Sequence, residues 1–394
     1  MFNVRNLCSC GLAFLLLLTT AAAQSTSTGS NSQTAGTVVE QGEVLRVGNN
    51  PNELGTRSLT LNGGTLEVTT AGNYIPVAFR AESGQGLIVG DNGGSLVITN
   101  EEGNLQLTGL LGGTGPLRVF GPGRFTPSNV SNSFAGELTL REGASIVLAT
   151  ASEGSRARLG KVPVVRVDNG AIHFSGSAGG AENTHERELI IEQGGATLAL
   201  GMAPRQNPTI TWAGPISGTG DLLINNAGGN QGTLVLAGEN THSGNIRVAA
   251  RSTLRLDDEG RLRFVLRDKG ESNRIHVLGL LRVNGAFIFD FDALTEAKKD
   301  DSWTLIEGSA NTVYGPNFNV VGFEHDGNGV WTARNGHYRF DQRTGTLVVI
   351  PEPAIYGAMV GFLLLGGLGI RLRQMRRRSQ IPPCTRAASL QAVE

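Results

Sequence analysis

Four blocks of this sequence recur later in the chain, in the same order and at nearly the same distance. The matching residues are 62–68 with 168–174, 87–96 with 189–198, 111–117 with 216–222, and 132–148 with 240–256, at offsets of 106, 102, 105 and 108 positions. Residues 54–148 and 159–256 are therefore interpreted as two copies of one block of about 105 residues. Repeated units stack, because each unit can bury its apolar face only against its neighbours.

Each block consists of short stretches of alternating apolar and polar residues separated by glycine-rich turns. The clearest alternations are 59–61, 66–68, 96–98, 105–107, 138–140, 234–236 and 254–256. Glycine accounts for 56 of 394 residues, and it favours turns over helix interiors. Strand–turn units of roughly 20–25 residues match one solenoid coil. The pattern predicts an all-β fold, a right-handed parallel β-helix over residues 38–256. A β-sandwich is the alternative, because some turns have the Asn-Gly composition of hairpins.

Residues 257–350 have a different sequence pattern and are predicted to form the end of the solenoid and a capping module. Alternation here places Phe287, Phe289 and Phe291 on one face and Ile288, Asp290 and Asp292 on the other. Residues 292–301 have helix-forming composition. A cap is expected because an open coil end exposes apolar core and unpaired strand edges.

The N-terminus has the pattern of a secretory signal peptide. Arg5 precedes the apolar run 11–18, and the small residues Ala21, Ala22 and Ala23 follow, which predicts cleavage after Ala23 and before Gln24. An N-terminal membrane anchor is the alternative, although the run is too short to span a bilayer. Residues 24–37 are rich in Ser, Thr, Gly and Asn and are predicted to be a flexible linker.

Near the C-terminus, residues 354–370 carry no charge and are followed by a cluster of arginines. The cluster is Arg371, Arg373, Arg376, Arg377 and Arg378. A helix of this length spans roughly 26 Å, and flanking arginines keep that end in the cytoplasm. The segment predicts a single transmembrane helix, since a buried core helix would have a polar face. Residues 379–394 are predicted to be a disordered tail.

Charge and cysteine content exclude several classes of function for the part between these ends. The chain has 33 Lys and Arg against 34 Asp and Glu, and residues 24–350 alone carry a net charge of about −6. Such a surface argues against nucleic-acid partners and disfavours other polyanions. The cysteines are Cys8, Cys10 and Cys384, so residues 24–350 have neither disulfides nor a cysteine metal site.

The sequence shows no catalytic motif, and no catalytic residue, metal site or cofactor is predicted. The six histidines are far apart in sequence, at positions 173, 185, 242, 276, 325 and 337, and are expected to be solvent-exposed. Acidic candidates for carbohydrate chemistry are Asp290 with Asp292, about 7 Å apart on one strand face, residues 257–259, and Asp300 with Asp301. These are expected to be solvated, which leaves a β-helical polysaccharide lyase or hydrolase as the alternative function.

Part of the second block resembles the autotransporter-associated β-strand repeat. Residues 232–244 read GTLVLAGENTHSG and residues 252–256 read STLRL, close to the repeat pattern of that family. His242, Asn245 and Ser252 depart from the pattern, where the family has Tyr, Gly and Gly. The resemblance implies a β-helical bacterial surface protein.

Pro351-Glu352-Pro353, followed by the apolar segment and the arginines, resembles the PEP-CTERM sorting signal over residues 351–378. Residues 318–349 are similar to the closing module that precedes such signals. The resemblance implies a Gram-negative bacterium, the inner membrane and an exosortase-type membrane protease as partners, and delivery to the cell surface or extracellular matrix. The predicted function is structural or adhesive, with extracellular polysaccharide as a further expected partner. Another hypothesis is an envelope protein that stays anchored permanently because its C-terminal signal is never processed.

Overall fold

The structure is a computed structural model that describes residues 36–48, 58–69, 86–149, 158–176, 183–202, 207–226 and 231–350, together with the backbone of residues 24–25. These residues form 37 short strands, numbered β1–β37 in chain order, and short 3-10 turns at Asp268–Gly270 and Ser309–Asn311. Most strands lie on three long faces that run along the molecule.

The first face is a 13-stranded sheet. Its strands are β1 (Gln24–Ser25), β3 (Val44–Val47), β5 (Thr65–Val68), β7 (Gly94–Ile98), β10 (Leu117–Phe120), β12 (Leu138–Arg141), β14 (Val164–Asp168), β17 (Glu188–Ile191), β20 (Ile216–Gly218), β23 (Glu239–Asn240), β26 (Arg261–Val265), β29 (Ala286–Asp290) and β33 (Asn319–Val320). β1 lies within the predicted linker, and β2 begins at its last residue, Thr37.

The second face is a nine-stranded sheet, and the third face is made of a four-stranded and a six-stranded sheet. The second face contains β8 (Asn104–Leu107), β11 (Arg124–Pro127), β13 (Ser145–Ala149), β15 (Gly170–Ser175), β18 (Ala196–Leu200), β21 (Leu222–Asn225), β24 (Ile246–Val248), β27 (Ile275–Val277) and β31 (Ile306–Glu307). The third face contains β2 (Thr37–Glu40), β4 (Leu59–Asn62), β6 (Gly86–Val89), β9 (Leu110–Gly113), β16 (Thr184–His185), β19 (Thr209–Trp212), β22 (Gly232–Leu236), β25 (Ser252–Leu256), β28 (Leu280–Val283) and β32 (Thr312–Tyr314).

Successive strands pass from the third face to the first and then to the second, and each pairs in parallel with a strand one coil away. For example, β10 pairs in parallel with β7 and β12, with Leu117 opposite Leu138. Parallel partners need a crossover connection, which here is the rest of the coil. The predicted parallel β-solenoid is therefore confirmed, and the β-sandwich alternative is wrong.

Period-two alternation places one side of most solenoid strands in a shared core. Along the first face the inward column reads Leu117, Leu138, Val165, Leu189, Ile216, Asn240, Leu262, Phe287 and Val320. All of these residues are buried. Asn240 is tolerated in this column because its amide donates hydrogen bonds to the carbonyls of Gly238 and Arg261, at 3.0 and 2.9 Å.

Repeated glycines lie at the corners of the coils. A Cβ at Gly115 would lie 1.8 Å from the carbonyl oxygen of Gly90, and one at Gly220 would lie 1.7 Å from that of Glu192. Gly136 and Gly244 approach the next carbonyls in the same way, at 2.0 Å. The recurring Gly-Thr-Gly of the two blocks is thus required by contact between the backbones of adjacent coils.

The second copy of the repeat is displaced by one face relative to the first. β6 on the third face corresponds to β17 on the first, β7 on the first corresponds to β18 on the second, and β13 on the second corresponds to β25 on the third. One repeat therefore spans four coils and one further face, and the same strand–turn unit serves on each face.

A five-stranded antiparallel sheet packs on the last coils. Its strands are β30 (Ser302–Thr304), β34 (Phe323–His325), β35 (Val330–Ala333), β36 (Tyr338–Asp341) and β37 (Thr346–Val349). Phe340 of this sheet lies 6.0 Å from Phe287 and 5.5 Å from Phe289 of the solenoid, ring centre to ring centre. These aromatic contacts continue the solenoid core into the sheet.

The helix expected over residues 292–301 is wrong, because this segment forms turns. Asp268 accepts a hydrogen bond from the Thr295 backbone at 2.9 Å, and Asp301 accepts one from the Lys298 backbone at 2.8 Å. Leu294 is the segment's contact with the core, so a helix here would lack an apolar face to bury.

Candidate functional site

The predicted sorting and processing residues lie outside the described residues. This applies to Ala21 and Ala23 of the cleavage site, to Pro351, Glu352 and Pro353, to the apolar segment 354–370, and to the arginine cluster 371–378, whereas the backbone of Gln24 lies in β1. Within residues 36–350 as described, no helix combines the length and hydropathy that a membrane crossing requires.

Asp290, the first acidic candidate of the enzymatic alternative, is engaged in structural bonds. Asp290 forms an ion pair with Arg263, accepts a hydrogen bond from the Asp292 backbone at 2.9 Å, and has a side chain only 10% exposed. It lines an open cavity of about 360 Å³ together with Glu239. A general acid or nucleophile needs a carboxylate that can reach the substrate, whereas the carboxylate of Asp290 is bound to Arg263.

Asp257 and Asp258 also make bonds with neighbouring side chains. Asp258 accepts hydrogen bonds from the side-chain amides of Asn284 and Asn317, the second at 3.1 Å. Asp257 lies 3.6 Å from the Arg255 guanidinium. The described ranges contain no group of three or more side chains suited to hold a metal ion.

The expectation of exposed histidines is wrong for His185 and His242, which are buried. His185 stacks on Trp212 with ring centres 5.1 Å apart. His242 Nε2 lies 2.5 Å from the Gly220 carbonyl oxygen, and burial lowers the pKa of this imidazole. His242 is therefore a core residue, and desolvation disfavours the charged form of its imidazole.

His173 projects outward from β15, and its Nδ1 is buried. Burial and then the positive charge of Arg124 lower its pKa to about 4.

Charged side chains on the first face form ladders between coils. Arg46 binds Glu67 at 2.9 Å, Arg166 binds Glu137 at 2.7 Å, and Arg141 binds Glu192 at 2.9 Å. These pairs are partly exposed, so each contributes little to the free energy of unfolding. They give the first face a balanced, hydrated surface.

In the described part of the third face, two arginines lie in register without a matching pair of carboxylates. Arg255 of β25 lies directly opposite Arg282 of β28 in the parallel register. Both line a cavity of about 350 Å³ with Asp257, Asn284, Val313 and Pro316. Sequence reasoning missed this cluster because the two arginines are 27 positions apart and only the coil register brings them together.

The fold and its outer faces define a parallel β-solenoid whose polar side chains are arranged in columns between coils. No family model matches the chain. It is 28% identical over 224 residues to the adhesin BmaC autotransporter of Brucella suis biovar 1 (strain 1330). The match covers 48% of this chain. The chain spans only 6% of that adhesin's length.

Proposed function

We propose that this chain is an exported bacterial cell-surface or extracellular-matrix protein with a structural and adhesive role. The similarity to an autotransporter adhesin is the observation that carries the proposal. The solenoid supports it, because stacked coils present a long, repetitive surface suited to many weak contacts. The engaged carboxylate of Asp290 is consistent with a binding role rather than a hydrolytic one.

Sorting would depend on the two ends of the chain. In this proposal the signal peptide directs export, and residues 354–370 with the arginine cluster hold the chain in the inner membrane of a Gram-negative bacterium. An exosortase-type protease then processes the chain near Pro351-Glu352-Pro353. Proline is disfavoured in helix and sheet interiors, so in this proposal the tripeptide is presented in an extended form that a protease can bind.

Mass spectrometry of the C-terminus of the native protein tests the sorting step. Processing predicts a chain that ends near Glu352, and a triple substitution of residues 351–353 by alanine should leave the tail through Glu394 in place. An intact tail in the unsubstituted protein would instead establish permanent anchoring.

Adhesion is tested in the bacterium that makes the protein. Deleting the gene should lower attachment to surfaces or incorporation into the polysaccharide matrix, and a plasmid copy should restore it. Protease added to intact cells should degrade the protein. Unchanged attachment of the deletion strain would refute the adhesive role, and complete protection from protease would refute surface location.

A further inference from the structure

The third face carries a local excess of positive charge at the Arg255–Arg282 cavity. Adjacent strands are about 4.8 Å apart, so two guanidinium groups in register lie close together. Like charges directly opposite each other destabilise a sheet, and folding alone gives no reason to place them there. The cavity also has apolar walls, from Val313 and Pro316.

Neighbouring carboxylates compensate this charge only in part. Asp257 is 3.6 Å from Arg255 and half exposed, and the guanidinium of Arg282 makes no ion pair among the described residues. Arg255 Nε is buried and lacks a hydrogen-bond partner in the same part of the chain. Within the described ranges, Asp257 is the one carboxylate paired with these two guanidinium groups, and it pairs with Arg255. Most of their N–H donors therefore remain for an external acceptor.

More positive charge lies around the adjoining corner of the coils. Arg247 projects from β24 on the second face and is exposed, with His276 of the next coil opposite it. Residues 245–284 contain nine Lys and Arg against five Asp and Glu, although residues 24–350 carry about −6 overall. The average charge that disfavours polyanions therefore does not describe this segment, although Arg261, Arg263 and Arg274 pair with Glu239, Asp290 and Glu307 outside it.

We propose that Arg255 and Arg282 form a binding site for an oxyanion, carboxylate or sulfate, carried by an acidic polysaccharide. Guanidinium groups bind such oxyanions through paired, charge-assisted hydrogen bonds. A cavity of about 350 Å³ is at the low end of small-ligand sites, which suits part of a polymer that continues along the face. The inference rests on the proposed function and assigns a ligand class and a site to it.

Binding of the purified full chain to three immobilised polymers tests the site. Polygalacturonate supplies carboxylates, dextran sulfate supplies sulfates, and dextran is the neutral control. The chain should bind one or both acidic polymers, more weakly at high salt, and should not bind dextran. Preference between the two acidic polymers identifies the oxyanion.

The double variant R255Q/R282Q should bind the preferred polymer at least about tenfold more weakly, because it loses two charge-assisted contacts. R118Q is the control, since Arg118 is exposed on the first face and its replacement removes one positive charge, the same change that R255Q or R282Q makes alone. R118Q should bind like the unsubstituted chain, and circular dichroism should show all variants folded.

Equal binding by the double variant and the unsubstituted chain, an equal loss in R118Q, or binding to neither acidic polymer would overturn the site. These outcomes are independent of the proposed function, which is measured by attachment of cells. An unsubstituted chain that binds neither acidic polymer, in a bacterium whose deletion strain attaches poorly, would remove this site and leave the adhesive role intact.

Discussion

Replacing Gly220 with alanine tests whether contact between coil corners determines the glycine pattern. A Cβ at Gly220 would lie 1.7 Å from the Glu192 carbonyl oxygen, whereas an ordinary carbon–oxygen contact is about 3.3 Å or longer. The obstacle is backbone, and this carbonyl already accepts a hydrogen bond from the Gly195 N–H at 2.8 Å. The two coils must therefore separate by roughly 1.5 Å at this corner.

The expected cost is about 2–4 kcal/mol in the free energy of unfolding. Forcing an extra methyl group into a packed site costs about 1–3 kcal/mol, and weakening the turn hydrogen bond adds about 1 kcal/mol. Gly244 follows at the next corner, where its own Cβ would lie 2.0 Å from the Gly220 carbonyl oxygen, so the shift cannot be absorbed locally.

Urea unfolding of the full chain, followed by circular dichroism and tryptophan fluorescence, measures this cost. Gly112→Ala is the matched control, because its Cβ would meet nothing closer than Ser133 Oγ at 3.4 Å. This control should be neutral or stabilise by up to about 1 kcal/mol through the unfolded state. A G220A chain that unfolds at the same urea concentration as G112A would refute the corner-contact explanation.

Three further predictions follow from the core and from the engaged carboxylate. Burial lowers the pKa of His173 in the folded chain to about 4, so the unfolded chain binds more protons below about pH 6.5. The free energy of unfolding should therefore fall by about 2–3 kcal/mol between about pH 6.5 and about pH 4. H173Q should flatten this decline in urea titrations at several pH values. W212A should cost about 3–5 kcal/mol by circular dichroism, because Trp212 is fully buried and stacks on His185, and W212F should cost less. The full chain should release no products from acidic or neutral polysaccharides, and D290N should cost about 1 kcal/mol through its ion pair; turnover that D290N abolishes would establish the enzymatic alternative.

The solenoid was predictable because its main constraint is written locally in the sequence. Inward positions alternate with outward ones, so stretches such as Leu138-Thr139-Leu140 identify strands without knowledge of their partners. Recurrence of whole blocks then indicates stacking rather than a closed sandwich. The helix expected over residues 292–301 failed because composition reports helix propensity, whereas the absence of an apolar face decides against a helix.

The candidate binding site was not predictable from the sequence for a geometric reason. Arg255 and Arg282 become neighbours only through the pairing register of two coils whose lengths differ, and that register is a tertiary property. The buried histidines were missed in a similar way. His185 is buried by stacking on Trp212, 27 positions later, and nothing in its local sequence indicates this contact.

Because the second copy of the repeat is displaced by one face, corresponding residues of the two copies show which positions must be apolar for folding and which can vary. Leu254 and Leu256 correspond to Ile146 and Leu148 in the first copy, and all four are buried. Between them, Arg255 corresponds to Val147, which projects outward from β13 on the second face. The fold thus preserves apolar residues inward on either face and accepts a branched aliphatic residue outward at this position. R255V should therefore match or exceed the urea midpoint of the unsubstituted chain while it loses polymer binding. A loss of more than about 1 kcal/mol would instead give Arg255 a structural role beyond that of an exposed ion pair.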